Sequence, residues 1–266
     1  MSKVSDLPLV GRLVGMFIGA SGSGKTVAAC SFEDPYDLDI DIRIEGLLGA
    51  KKFVNLENVE YKRFTIGKGF KEVEDELNMI DVLIQMKQWT RKTFILDSLT
   101  NELRLFLADA MTLVGEDKET RKKGPIIKGR ILGSLTLPGP AHYGYEAEAT
   151  YQVFDFLRSW PVNIIVTAHE VDRYGKLDPS KEYSESVVIG KKLSVRDKIG
   201  ANVLTYFNEI YEFSKEDYGN HIQHYVKFRG DLARTCYPQL PDGRVDITGK
   251  NFYELWKGLI EEKKGE

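Results

Sequence analysis

Short apolar runs and longer amphipathic stretches alternate along the chain. Val14-Gly-Met-Phe-Ile18 reads as a buried strand, and the stretch from Lys25 through Val27, Ala28, Ala29 and Cys30 reads as the helix it feeds. Further strands are predicted at Tyr36 to Ile42 and around Val59 to Thr65. Phe70, Val73, Leu77, Ile80 and Ile84 then recur at helical spacing and lead into Thr93-Phe-Ile-Leu-Asp97. Leu99, Leu103, Phe106, Leu107, Ala110, Met111 and Val114 mark another helix, followed by a polar, Gly- and Pro-containing stretch from Gly115 to Gly144 that reads as a long loop. A helix carrying Val153, Phe154 and Leu157 delivers the strand Val162-Asn-Ile-Ile-Val-Thr-Ala168, which is predicted to end at His169. A second long loop is predicted from there to about Lys198. Glu209 to Ser214 and Ile222 to Phe228 flank the turn signal Asp217-Tyr-Gly-Asn220 as a hairpin, and Phe252, Leu255, Trp256, Leu259 and Ile260 give a closing amphipathic helix.

Alternating strands and helices predict an α/β fold: a mostly parallel sheet covered on both faces, with an antiparallel hairpin at one edge. No internal repeat or linker interrupts the pattern, so residues 1–266 are expected to form one domain. With 42% apolar and 11% aromatic residues the 266-residue chain can bury a substantial core. No run approaches the roughly 20 apolar residues that span a bilayer, and Leu13 to Ile18 leads into a glycine loop rather than a cleavage site. The expectation is a cytoplasmic protein with no membrane partner. Cys30 and Cys236 come without a Cys-x-x-Cys pair or clustered His, so neither a disulfide framework nor a zinc site is supported.

Charge changes the picture more than composition does. Residues 118–130 carry Lys118, Arg121, Lys122, Lys123, Lys128 and Arg130 against Glu119, a balance of +5, and residues 173–198 carry +3, although the whole chain is at -3. The positive field is thus confined to two loop-like segments of an acidic body, with a plain solvated face as the alternative.

Gly19-Ala-Ser-Gly-Ser-Gly-Lys-Thr26 matches G-x-x-x-x-G-K-[ST] between a strand and a helix. The glycines let the backbone, from Gly19, Ala20, Ser21, Gly22, Ser23 and Gly24 to Val27, wrap around phosphate. Lys25 neutralises the terminal phosphates and the Thr26 hydroxyl ligates magnesium, so ATP and Mg2+ are the expected ligands. Asp97 at the end of an apolar strand is the matching acid, placed to hold the metal; capping of the next helix is its alternative, and Ser98 could share either role. Orienting a water toward the γ phosphate calls for a further carboxylate. Asp37, Asp39 and Asp41 share one side of the second strand, and Asp41, nearest its carboxyl end, is the first choice with Asp39 and Glu45 behind it. His169 is placed to sense the γ phosphate, whereas the spacing of His221 and His224 puts them on opposite faces and gives them no metal role.

Four stretches carry a resemblance: the loop from Gly19 to Thr26, Thr93 to Ser98, Tyr143-Gly-Tyr leading to Asn163-Ile-Ile-Val-Thr-Ala-His-Glu170, and Phe207-Asn-Glu-Ile-Tyr211. Through them nearly the whole chain resembles the RecA-like ATPases of bacteriophages, including those linked to single-strand annealing and homologous recombination. That resemblance implies a RecA-like P-loop core with His169 as the γ-phosphate sensor and Asp41 where relatives carry a catalytic Glu. It also implies two DNA-binding loops, with Arg121, Lys122, Lys123, Lys128, Arg130, Lys191 and Lys192 tracking a phosphate backbone and Tyr143, Tyr145 and Tyr174 stacking on unpaired bases. Arg229 and Arg234 are candidates to reach a neighbouring subunit's γ phosphate, with a plain surface ion pair as the alternative for each. The expected partners are single-stranded DNA, further copies of the chain in a ring or filament, and a single-strand-binding protein. Two other functions fit the same loop: a phosphotransferase whose lid arginines include Arg121 and Arg130, and a nucleotide-dependent assembly scaffold.

Overall fold

A computed structural model describes residues 11–64, 70–112, 114–116, 123–125, 130–132, 135–176 and 186–261. In chain order, β1 (Val14–Gly19) leads into the five-residue helix α1 (Lys25–Ala29), β2 (Pro35–Asp39), a 3-10 turn at Ile44–Ala50 and β3 (Glu60–Arg63). Helix α2 (Lys71–Gln85), β4 (Thr93–Asp97) and α3 (Leu99–Thr112) follow. Two small ribbons come next, β5 (Val114–Glu116) with β6 (Lys123–Pro125) and β7 (Arg130–Leu132) with β8 (Leu135–Leu137). Helix α4 (Pro140–Ser159), β9 (Asn163–Lys176), β10 (Ser186–Leu193), α5 (Asp197–Val203), β11 (Glu209–Asp217), β12 (Ile222–Lys227), β13 (Arg244–Asp246) and α6 (Phe252–Glu261) complete it.

The main sheet has the order β13-β12-β11-β1-β9-β4-β2-β3, with β10 paired to β9. Pairing from β11 through β3 is parallel, whereas β12 and β13 are antiparallel. This is the mostly parallel sheet with an antiparallel hairpin at one edge that the alternation of strands and helices predicted. Its central strands β1, β4 and the first half of β9 are near-continuous apolar runs because both faces are covered. Met16, Ile18, Phe94, Leu96, Ile164 and Val166 meet one core with Phe106, Phe154 and Trp160. The alternate residues Phe17, Ile95 and Ile165 meet the other, where the Phe17 ring lies 5.0 Å from Phe213 and 5.6 Å from Phe252.

Three expectations are corrected. The second strand stops at Asp39 rather than Ile42, because Ile40 and Asp41 both donate their N–H to Asp97 O, at 2.7 and 3.0 Å, and so curl over the end of β4. The loop expected up to Gly144 already enters α4 at Pro140, so Tyr143 and Tyr145 are helical. His169 does not end its strand: β9 continues to Lys176 and pairs antiparallel with β10, Glu170 facing Leu193 and Asp172 facing Lys191. Tyr174, Val188 and Ile189 are exposed, so this arm lacks the buried alternate face that makes a strand legible in sequence.

Candidate functional site

The parallel order brings the carboxyl ends of β1, β4 and β2 and the middle of β9 to one edge, where ligands of open α/β sheets bind. Gly19 lies opposite His169, and Asp39 opposite Asp97. Between β1 and α1 the loop turns through Gly22 and Gly24 at φ 75° and 97°, values that favour glycine. A side chain at Gly19 would sit 2.2 Å from the carbonyl oxygen of Phe213.

Lys25 is only 5% exposed, and its ammonium donates to the carbonyls of Gly19 and Ala20, both at 2.9 Å. Two of its three N–H bonds are thereby used and one remains for a ligand. Burial lowers its pKa to about 8 against the raising influence of Asp97, Asp41 and Glu170. Thr26 Oγ1 donates to Asp97 Oδ2 at 2.6 Å, and Thr167 donates to the other oxygen of Asp97. Burial raises the Asp97 pKa although both hydroxyls oppose it, which leaves a carboxylate that gains from a nearby cation. A hydroxyl beside a carboxylate is an oxygen donor set suited to a hard cation such as Mg2+.

Asp41 is surrounded by donors. Oδ1 accepts from Ser98 Oγ at 2.6 Å and Asn101 Nδ2 at 2.7 Å, while Oδ2 lies 3.1 Å from His169 Nε2. Burial alone would raise its pKa, but the hydrogen bonds from His169, Ser98 and Asn101 outweigh it and hold the group below its ordinary value. Asp41 is therefore ionised, so His169 Nε2 is the donor. Three of the four or so lone-pair sites on the carboxylate are taken, leaving room for one water.

The other acids have separate positions. Asp39 accepts from the N–H of Arg43 at 2.8 Å and from Arg63 Nε at 3.1 Å, so it anchors the turn after β2. Asp37 is fully buried without a hydrogen-bond partner among the described residues, and burial pushes its pKa well up. Glu45 is exposed and pairs with Arg63 at 2.7 Å.

Several side chains at the edge carry no motif. Arg43 Nη1 donates to Ser21 Oγ at 2.6 Å, and His224 Nδ1 lies 3.2 Å from Ser23 O. A Cβ on Gly22 would be 3.0 Å from the Lys215 ammonium. A cavity of about 450 Å³ runs from the loop past Asp41 and Arg43 into an apolar recess of Leu47, Phe53, Ile247 and Phe252. Thr167 was the one of these contacts a sequence signal could have found, as a lone hydroxyl inside an apolar strand. A second, more open groove of about 800 Å³ shares His169 and Arg43 with the first and is lined by Thr100, Arg104, Lys192 and Arg196.

The basic candidates are scattered more widely. Arg121, Lys122 and Lys128 lie outside the described residues; Lys123 and Arg130 fall on β6 and β7, where the backbone is described. Lys191 pairs with Asp172 at 2.9 Å and Lys192 with Asp197 at 2.8 Å. Tyr145 donates to Asp109 at 2.8 Å, the Arg196 guanidinium stacks 3.6 Å over Tyr143, and Tyr174 is exposed. Arg229 donates to Asp242 at 2.6 Å and to Tyr237 O at 3.1 Å, and Arg234 donates to Phe207 O at 2.7 Å, so both guanidinium groups tie down their own chain. Among the described residues no helix is long and apolar enough to cross a membrane.

No curated protein matches the sequence. Among solved structures, a KaiC-like protein from the hyperthermophilic archaeon Pyrococcus horikoshii OT3 aligns over 87% of this chain and 88% of its own, at 16% identity and a TM-score of 0.39. The AAA domain family matches residues 12–231, which contain the phosphate loop, Asp41, Asp97 and His169. The chain belongs to that family, and is a P-loop ATPase.

Proposed function

We propose that the chain binds ATP with Mg2+ at Gly19–Thr26, hydrolyses it, and uses the nucleotide state to control its grip on single-stranded DNA in phage recombination, strand annealing or replication. One observation carries the reading: an unbroken line of contacts runs from Thr26 through Asp97 and Ser98 to Asp41 and His169, and β9 continues from His169 into the arm with β10. Thr26 and Asp97 would hold the metal, which neutralises charge on the phosphates when bound. The Lys25 ammonium takes a phosphate oxygen, Asp41 orients the attacking water, and His169 holds Asp41 ionised. Because His169 also lines the second groove, a change at the γ phosphate reaches a ligand lying there.

Anisotropy of a labelled single-stranded oligonucleotide, titrated in ATP, in ADP and without nucleotide, tests the reading alongside ATP turnover with and without DNA. Tighter binding in one nucleotide and DNA-stimulated turnover are expected. DNA affinity that ignores nucleotide would reject the coupling, and turnover only with a small phosphate acceptor would move the protein to the phosphotransferases.

A further inference from the structure

A nucleoside triphosphate is charged at one end and flat and largely apolar at the other. The cavity at the phosphate loop has the same gradient: Ser21, Lys25, Thr26 and Asp97 line its polar end, and past Val27 and Ala28 it opens into the recess of Leu47, Phe53, Ile247 and Phe252. Two segments far apart in sequence wall that recess. One is the 3-10 turn Ile44–Ala50 with Phe53 just beyond it, and the other is the connection from β13 into α6, residues 247–252. Asn251 joins them. Its Oδ1 accepts from the N–H of Glu254 at 3.0 Å and so caps α6, while its Nδ2 donates to the carbonyl oxygen of Phe53 at 2.9 Å, across 198 residues. Gly249 stands beside it at φ 69°, where a Cβ would lie 3.7 Å from Cε1 and Cζ of the Phe53 ring. Phe53 is thereby held at its carbonyl and backed along one edge of its ring. The Lys250 ammonium turns to Asp246 O at 2.7 Å, and the Asn251 amide is engaged at both ends, so the recess meets a ligand with an aromatic ring and aliphatic walls.

We propose that this recess takes the heteroaromatic base of the nucleotide against the Phe53 ring, and that Asn251 is a positioning residue that sets the recess by fastening Phe53 to the start of α6. The proposal rests on the nucleotide reading above and adds how the base, rather than the phosphates, is held. Contact between an aromatic side chain and a flat base needs no hydrogen bond to the base. A ring fixed before binding also loses little freedom when the base arrives, and that preorganisation is what the Asn251 bond supplies. Without the Asn251 donor the Phe53 segment is released from α6, so base binding weakens while the phosphate loop between β1 and α1 is untouched.

The test is calorimetric titration of the full chain with Mg-ATP and with Mg-tripolyphosphate, which keeps the three phosphates and lacks the base and ribose. The unaltered chain should bind ATP more tightly. Phe53→Ala should lower ATP affinity by about 10- to 100-fold, the range for truncating a ring that stacks on a base, and Phe53→Trp should keep it. Asn251→Asp retains a cap for α6 but loses the donor, so ATP affinity should fall by about 3- to 10-fold with tripolyphosphate affinity and Tm unchanged. In turnover assays its KM for ATP should rise by the same factor at unaltered kcat. Added to Phe53→Ala, Asn251→Asp should weaken ATP binding no further, because it acts through that ring. An Asn251→Asp chain with wild-type ATP affinity, an equal loss of tripolyphosphate affinity, or additive losses in the double variant would each overturn the proposal. So would an unaltered chain that binds tripolyphosphate as tightly as ATP. Phosphate release in the same samples judges the hydrolase reading separately: ATP held by Phe53 and Asn251 without turnover leaves the recess standing and removes the hydrolase.

Discussion

The two halves of β9 show two ways of building a site. From Ile164 to Ala168 the strand is buried between β1 and β4, and its Thr167 hydroxyl is spent on Asp97. From Val171 to Tyr174 the same strand is an exposed arm whose charges are met by surface ion pairs such as Lys191 with Asp172. In the first half each polar group has one fixed partner in a water-poor setting, where a misplaced atom is costly. In the second, interactions are screened by salt and each is worth little. The nucleotide chemistry is thus set by geometry and any DNA contact by field strength, with His169 at the junction.

The harshest way to break the comparison is to remove the loop's buried cation. Lys25→Ala should cut ATP turnover by about 10³-fold or more while leaving the circular dichroism spectrum in place, because the ammonium bonds only to loop carbonyls. Burial lowers the Lys25 pKa to about 8, so the charged form is lost as pH rises through that value. ATP affinity should accordingly fall between pH ~7 and ~9.5, and Lys25→Arg should flatten that fall. Turnover that survives Lys25→Ala would remove the loop from the reaction.

His169→Ala strikes the junction and should have an intermediate effect. A His169 ring that turns from Asp41 to the γ phosphate of bound ATP makes a hydrogen bond to a charged group, worth ~1.5–3 kcal/mol, that ADP cannot receive, so the variant should lose about 10- to 100-fold of its preference for ATP over ADP, with ADP affinity nearly unchanged. The difference in DNA affinity between an ATP analogue and ADP should vanish with it. Isothermal titration and anisotropy measure the two quantities. A variant that keeps both would make His169 a packing residue of β9.

The same contrast explains what could be read from sequence. The central strands and the helices between them, the phosphate loop and the strand ending in Asp97 were legible because strands buried on both faces are near-continuous apolar runs and the loop has a fixed spacing, whereas β5 to β8, β10, α5 and β13 were not. Asp41 was reached by alternation, yet it stands beyond the strand, in the turn that curls over β4. Arg43, Lys215 and His224 were invisible because their approach to the loop depends on the sheet order, which no local pattern encodes. The arm from Glu170 to Lys176 looked like a loop because, with solvent on both sides, nothing forces its apolar and polar residues to alternate.

The smallest expected effect belongs to the arm itself, and its sign is informative. Replacing Lys191 and Lys192 by Ala removes two cations, but both already face acids, Asp172 at 2.9 Å and Asp197 at 2.8 Å. A phosphate must displace those partners, so single-strand affinity should fall by only about two- to five-fold, as surface pairs of this kind are worth ~1 kcal/mol or less. Asp172→Asn is the sharper variant because it leaves Lys191 only the more distant Glu170, at 3.7 Å, without adding a charge to the chain's basic groups. Affinity should then rise, and the slope of log affinity against log salt should steepen by about 0.7, the value for one more neutralised phosphate of a single strand. Anisotropy between ~50 and ~200 mM salt reads both numbers. If the two variants shift neither affinity nor slope, the arm is a solvated surface, and the second half of β9 has no part in binding nucleic acid.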